Sequence, residues 1–128
     1  VELCGVDDPK CGGSMWSDQL SAAAKAAGPD CFAVLLSHRP ERVEDYLAYD
    51  FDLVLSGHAH GGQWRLPGLV NGLLAPDQGF FPAYAGGLYR LDENTDLVVS
   101  RGLARESTRV PRIFNPPELV IIDVTPAE

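Results

Sequence analysis

The chain has three histidines, and all of them fall in two short segments, Ser37-His38-Arg39-Pro40 and Gly57-His58-Ala59-His60-Gly61-Gly62-Gln63. Each segment closes a run of apolar residues, 31–36 and 51–55. Neutral imidazole is the commonest side-chain ligand for divalent transition metals, so the chemistry this grouping offers is metal binding. His58 and His60, two residues apart on a glycine-flanked turn, suit two neighbouring ions better than one shared ion. Ions roughly 3.5–4 Å apart can clamp a phosphoryl group and activate water against it. Gly57, Gly61 and Gly62 remove side chains where ions and phosphate would approach. A single strand-end histidine is more often a hydrogen-bonded surface or core residue, and it is the grouping of all three that favours ligation.

The elements around these segments must bring them together. Residues 1–6 read as a short strand ended by Asp7-Asp8-Pro9, where the two aspartates shape a turn. Ser17 can cap a helix running to Ala27, with Leu20, Ala23, Ala24 and Ala27 on one face and Gly28 just past its end. Residues 31–36 form a continuous apolar run, as in a strand buried on both faces. Pro40 opens a second helix, with Glu41 and Glu44 at its positive end and Val43, Tyr46 and Leu47 as its apolar stripe. Residues 51–55 are the next buried strand. Strand, helix and strand in so few residues predict a βαβ unit with parallel strands. Parallel neighbours end on one edge of the sheet, where open α/β sheets bind ligands. That edge can bring His38 to the His58/His60 pair.

The second half changes character. Residues 61–81 are rich in Gly and Pro and too long for an idle connection, so they are expected to rim the site. Residues 87–91 and 97–100 read as a hairpin, and 119–124 as a last strand entered through Pro116-Pro117. The fold class is therefore α/β, with a mixed sheet containing a βαβ unit and late antiparallel strands.

Composition sets outer limits. A chain of 128 residues is one domain's worth and can bury a core. Its net charge of −8 argues against a nucleic-acid surface, which needs an excess of Lys and Arg. A small phosphate ester held at a metal remains compatible with that charge. Cys4, Cys11 and Cys31 cannot all pair within one chain and include no C-x-x-C, which disfavours both a disulfide framework and a zinc ribbon. They point modestly to a reducing compartment. No apolar run approaches the ~20 residues that span a bilayer. The chain begins with Val1, and its one methionine is Met15. The expectation is a piece of a longer protein, cytoplasmic or membrane-associated through a part that precedes this one.

Gly57-His58-Ala59-His60 resembles the last motif of the calcineurin-like metallophosphoesterases, and Leu36-Ser37-His38-Arg39-Pro40 resembles the isolated-histidine motif before it. Gly61-Gly62-Gln63, Gly5-Val6-Asp7-Asp8-Pro9 and Ser100-Arg101-Gly102-Leu103 look like a bacterial branch of that family. The resemblance implies that His38 and His58 bind one divalent ion and His60 a second, from among Mn, Fe, Zn and Ni. It implies a four-layer α/β/β/α sandwich and hydrolysis of a small phosphomonoester or phosphodiester. The family's earlier motifs, Asp-x-His, Gly-Asp-x-x-Asp and Gly-Asn-His-Asp/Glu, do not occur in these residues. Residues 1–128 therefore look like the C-terminal part of one metallophosphoesterase domain, inactive alone. A half-sandwich would expose an apolar sheet face, so self-association through that face is expected. A clean monomer in light scattering at high concentration would contradict it.

Arg39 and Gln63 are expected to contact substrate beside the histidines, although a surface arginine opening a helix is the plainer reading of Arg39. Trp64 is read as buried area or a substrate contact. Arg101, Arg105, Arg109 and Arg112 form a basic stretch that either lines a phosphate cleft or stays solvated. The alternative to a hydrolase is a self-standing metal-binding or protein-interaction module with a three-histidine site.

Overall fold

A computed structural model describes residues 1–12, 15–104 and 110–126. A five-stranded sheet is built from β1 (Glu2–Gly5), β2 (Ala33–Leu36), β3 (Leu53–Ser56), β6 (Gly87–Arg90) and β7 (Asp96–Val99), in the order β1-β2-β3-β7-β6. The first four in that order run parallel, and β6 returns antiparallel to β7. The βαβ reading of residues 31–56 holds, with Val34 opposite Leu53 and Leu36 opposite Leu55. A small antiparallel pair, β4 (Leu74–Ala75) with β5 (Gly79–Phe80), forms in the Gly/Pro-rich second half.

The helices are α1 (Pro9–Gly12), α2 (Met15–Ala27) and α3 (Val43–Tyr46). Strand residues alternate between faces, and one face presents Leu35, Val54, Leu97 and Val99, all fully buried. Trp16 and Leu20 of α2, with Tyr46 of α3 and Phe51, complete that core. The opposite face carries Leu3, Leu36 and Leu88, which are 66%, 41% and 69% exposed. Parallel sheets are ordinarily covered on both faces; on this face Val34 and Leu53 are buried, while the residues flanking them are left open.

Three expectations need correction. Helix α2 begins at Met15, so Ser17 lies inside it instead of capping it. The helix expected from Pro40 is a single turn starting at Val43. Residues 39–42 instead form a turn in which the Arg42 N–H bonds to the Arg39 carbonyl, and the buried Tyr46 hydroxyl contacts that same carbonyl. Residues 119–124 form no strand; Leu119 and Ile121 are 74% and 80% exposed. The run is apolar enough for a strand, but it joins no ladder of the sheet, whose order β1-β2-β3-β7-β6 leaves it out.

Candidate metal centre

The parallel strands deliver four loops to one edge: Asp7-Asp8 after β1, Ser37-His38-Arg39 after β2, Gly57–63 after β3, and Ser100-Arg101 after β7. This is the sheet edge at which ligands are bound in open α/β folds. His38 and His58 meet there, with ring centroids 4.4 Å apart and planes at 52°.

The His58 loop is held in an unusual backbone. His58, His60, Gly61, Gly62 and Gln63 all have positive φ, between 49° and 66°. Side chains seldom tolerate this region, and such strain collects at functional sites. The glycines are used for close approach: a Cβ on Gly62 would collide with the Gly72 backbone, and one on Gly61 with the Asn115 side chain. Asn115, 3% exposed, donates from Nδ2 to the carbonyls of His60 (2.7 Å) and Gln63 (3.1 Å). Ile113 pairs with the backbone of Gln63 and Arg65, so the segment after residue 110 straps the loop from outside.

Two carboxylates that sequence reading did not place with the histidines belong to this edge, one of them Asp8, read there as a turn former. Asp77, at the tip of the β4–β5 hairpin, sets Oδ2 at 2.8 Å from His58 Nε2 and Oδ1 at 2.6 Å from Lys10 Nζ. Asp8 Oδ2 lies 3.8 Å from His38 Nε2. Asp8 lies in the loop after β1, a strand that ends on this edge, and that was the signal available for it. Asp77 and Asn115 carry no local signal, because tertiary folding alone brings them in.

Arg39 and Gln63, expected at the substrate, are only 3% and 4% exposed. The Arg39 guanidinium is occupied by Asp8, Glu41 and Asp77. Trp64 is 43% exposed and donates through Nε1 to the Pro111 carbonyl. Arg101 pairs with Glu118 at 2.7 Å, and Arg112 donates to the Arg101 carbonyl at 2.6 Å. Arg105 and Arg109 lie outside the described residues.

Electrostatics favours the ligand form of His38 and His60. Burial, followed by the charge of His58, lowers the His38 pKa from the ordinary 6.5. Burial, followed by Arg112, His58 and His38, lowers that of His60. Lys10, His58 and Arg39 hold the Asp77 carboxyl well below the usual carboxylate range. Neutral imidazoles beside ionised carboxylates are the donor chemistry a divalent cation takes. In number the set is incomplete: among the described residues, no three of His, Cys, Asp and Glu are placed to close on one ion.

These shifts predict a pH dependence. An imidazole whose pKa falls on folding binds its proton better in the unfolded chain. Stability should therefore decline as pH drops below about 6.5, through the lowered values of His38 and His60. A second decline follows in the carboxylate range as Asp8 and Asp77 protonate. Urea midpoints at pH 7.5 and 5.5 check the first step, which a His38→Asn/His60→Asn double variant should flatten.

Relatives were found by sequence. An uncharacterised metallophosphoesterase of Campylobacter jejuni is 42% identical over 92 residues, 72% of this chain and 22% of the relative. One from Bacillus subtilis is 32% identical over 122 residues, covering 94% of this chain and 39% of the relative. A UDP-2,3-diacylglucosamine pyrophosphatase of Chlamydia muridarum is 33% identical over 101 residues, 73% of this chain and 29% of the relative. The chain thus spans less than half the length of the relatives it matches. No family model matches the chain, and no solved structure does. Among the described residues, no helix is long and apolar enough to cross a membrane.

Proposed function

The chain belongs to the metallophosphoesterase family, matching a part of its bacterial members, and on that premise we propose that it supplies the histidine side of a metal-dependent phosphoesterase centre. The observation that carries this reading is the meeting of His38 and His58 over the carboxyl ends of parallel strands. His38 and His58 would hold one divalent ion and His60 a neighbouring one. When bound, such ions supply Lewis acidity toward a phosphoryl oxygen and make water acidic enough to attack at neutral pH.

The chain's own residues do the preparatory work. Desolvation lowers the pKa of His60 and of His38, whose side chain is still half exposed, and so favours the neutral imidazole with its electron pair available. The left-handed loop closed by Asn115 fixes where His58 and His60 leave the backbone. Gly61 and Gly62 hold that loop against Asn115 and Gly72 with no side chain between. The remaining ligands would come from the Asp-x-His, Gly-Asp-x-x-Asp and Gly-Asn-His-Asp/Glu motifs of a longer protein. The exposure of Leu3, Leu36 and Leu88 on one sheet face supports a sandwich whose second sheet is likewise contributed from outside these residues. The substrate would be a small phosphomonoester or phosphodiester.

The absence of those motifs also supports a second reading, a metal-binding or interaction module without catalysis. Turnover separates the two. The 128-residue chain with Mn(II) is expected to leave p-nitrophenyl phosphate and its bis ester intact, whereas a longer polypeptide adding the three motifs should hydrolyse one of them. Robust turnover by the chain alone would overturn the shared-centre account, and an inert longer protein would favour the module.

A further inference from the structure

Arg39 is the one charged residue counted among the buried ones in the described structure. Its Nε lies 3.1 Å from both carboxylate oxygens of Asp8, its Nη2 3.1 Å from Asp8 Oδ1, and its Nη1 3.2 Å from Glu41 Oε1. Nη1 also contacts Asp77 Oδ2, the oxygen that sits 2.8 Å from His58 Nε2. With each nitrogen engaged and its side chain 4% exposed, this guanidinium has little left for a substrate phosphate. What it does touch is the carboxylate in direct contact with a histidine.

We propose that Arg39 and Asp77 form a positioning pair for His58, in which the guanidinium holds the Asp77 carboxylate as acceptor of the His58 Nε2–H, so that the ring is fixed in one tautomer with Nδ1 carrying its free electron pair. This deepens the reading above and rests on it for the purpose of the pair, which is to ready His58 as a ligand. A neutral imidazole has one lone pair, and the partner of the other nitrogen decides where it sits. An ionised carboxylate can only accept, so a contact at Nε2 requires the proton there. Arginine suits the task because its rigid fork can meet Asp8, Glu41 and Asp77 at once, which a lysine ammonium on a flexible stem cannot reproduce. Asp77 itself sits at φ 60°, a conformation aspartate tolerates better than most residues, and Lys10 anchors its second oxygen.

The test uses the whole 128-residue chain at pH 8, with long-range 1H–15N spectra of the histidine rings and Zn(II) alone as the probe. In the wild type, His58 is expected as the Nε2–H tautomer, with Nδ1 shifting when Zn(II) is added. Asp77→Ala should release His58 into a mixture of tautomers and weaken Zn(II) binding about 10–100-fold. Asp77→Asn, which keeps a carbonyl acceptor, should restore the tautomer. Arg39→Lys should move His58 in the same direction as Asp77→Ala, while the amide spectrum elsewhere and the His60 ring stay in place. A His58 tautomer indifferent to Asp77→Ala, or Zn(II) bound through Nε2, would overturn the proposal. If the wild type binds no Zn(II) yet Asp77 still sets the tautomer, the pair stands and the metal reading falls. If Zn(II) binds and the tautomer ignores Asp77, the metal reading stands and the pair falls.

Discussion

Replacing Gly62 by alanine is expected to destabilise the chain by roughly 2–5 kcal/mol, combining ~1–3 for overpacking with ~1–2 for a side chain in the left-handed region. Both contributions are visible at the site. Gly62 has φ 66°, and its added Cβ would run into the Cα of Gly72. The approach is close from both sides, since a Cβ built on Gly72 would lie 2.9 Å from Gly62 and 2.8 Å from the Ala85 side chain. The neighbouring backbone is tied as well, with the Leu73 N–H donating to the Gly62 carbonyl at 2.9 Å. Domains of this size hold only ~5–15 kcal/mol in total, so a large part of the native margin would go. Urea unfolding measures it, and a loss below 1 kcal/mol would mean that the loop can relax away from Gly72.

Arg39→Met should be nearly as damaging, by a different mechanism. It leaves Asp8, Glu41 and Asp77 gathered around an uncharged thioether, with only Lys10 to offset Asp77. Removing one partner of a buried ion pair costs ~3–5 kcal/mol, and the lower end applies because these carboxylates keep 20–26% of their side-chain exposure. The carboxylate origin of the loss makes it pH-dependent. In the wild type Arg39 holds Asp8, and Lys10, His58 and Arg39 hold Asp77, below the ordinary carboxylate range. That stabilisation fades as pH falls because the unfolded chain takes up protons first. In the variant Asp8 and Asp77, without the guanidinium, gain from protonation instead. The gap between the two proteins should therefore narrow from pH 7 to pH 4. A gap that stays constant would place the effect in side-chain packing instead.

How far the sequence predicted these features depended on how local each signal was. The apolar runs before His38 and His58 predicted two buried parallel strands, and the strand-end rule then placed both imidazoles on one edge, as observed. The hairpin around residues 92–96 was equally local and is present. Signals failed where tertiary context governs. Pro40 is a good helix opener, yet the turn is closed by contacts to the Arg39 carbonyl, one of them from the buried Tyr46 hydroxyl, and the helix waits until Val43. The apolar run 119–124 after Pro116-Pro117 promised a strand, but a strand also needs a ladder partner, and the run has none in the sheet. Arg39 read as a surface cation because its three carboxylate partners come from positions 2 to 38 residues away. Asp77 and Asn115 had no periodicity or motif to mark them; one arrives on a hairpin tip and the other on an outer strap.

The central claim is that His38, His58 and His60 hold metal, and metal retention tests it most directly. The chain would be dialysed separately against Mn(II), Zn(II) and Ni(II), and its bound metal counted by inductively coupled plasma mass spectrometry. A His38→Asn/His58→Asn/His60→Asn variant would be treated in parallel. Metal retained by the wild type and lost in the folded variant is the expected result. Equal retention by both, or none by either even in a longer polypeptide that adds the three motifs, would contradict the account.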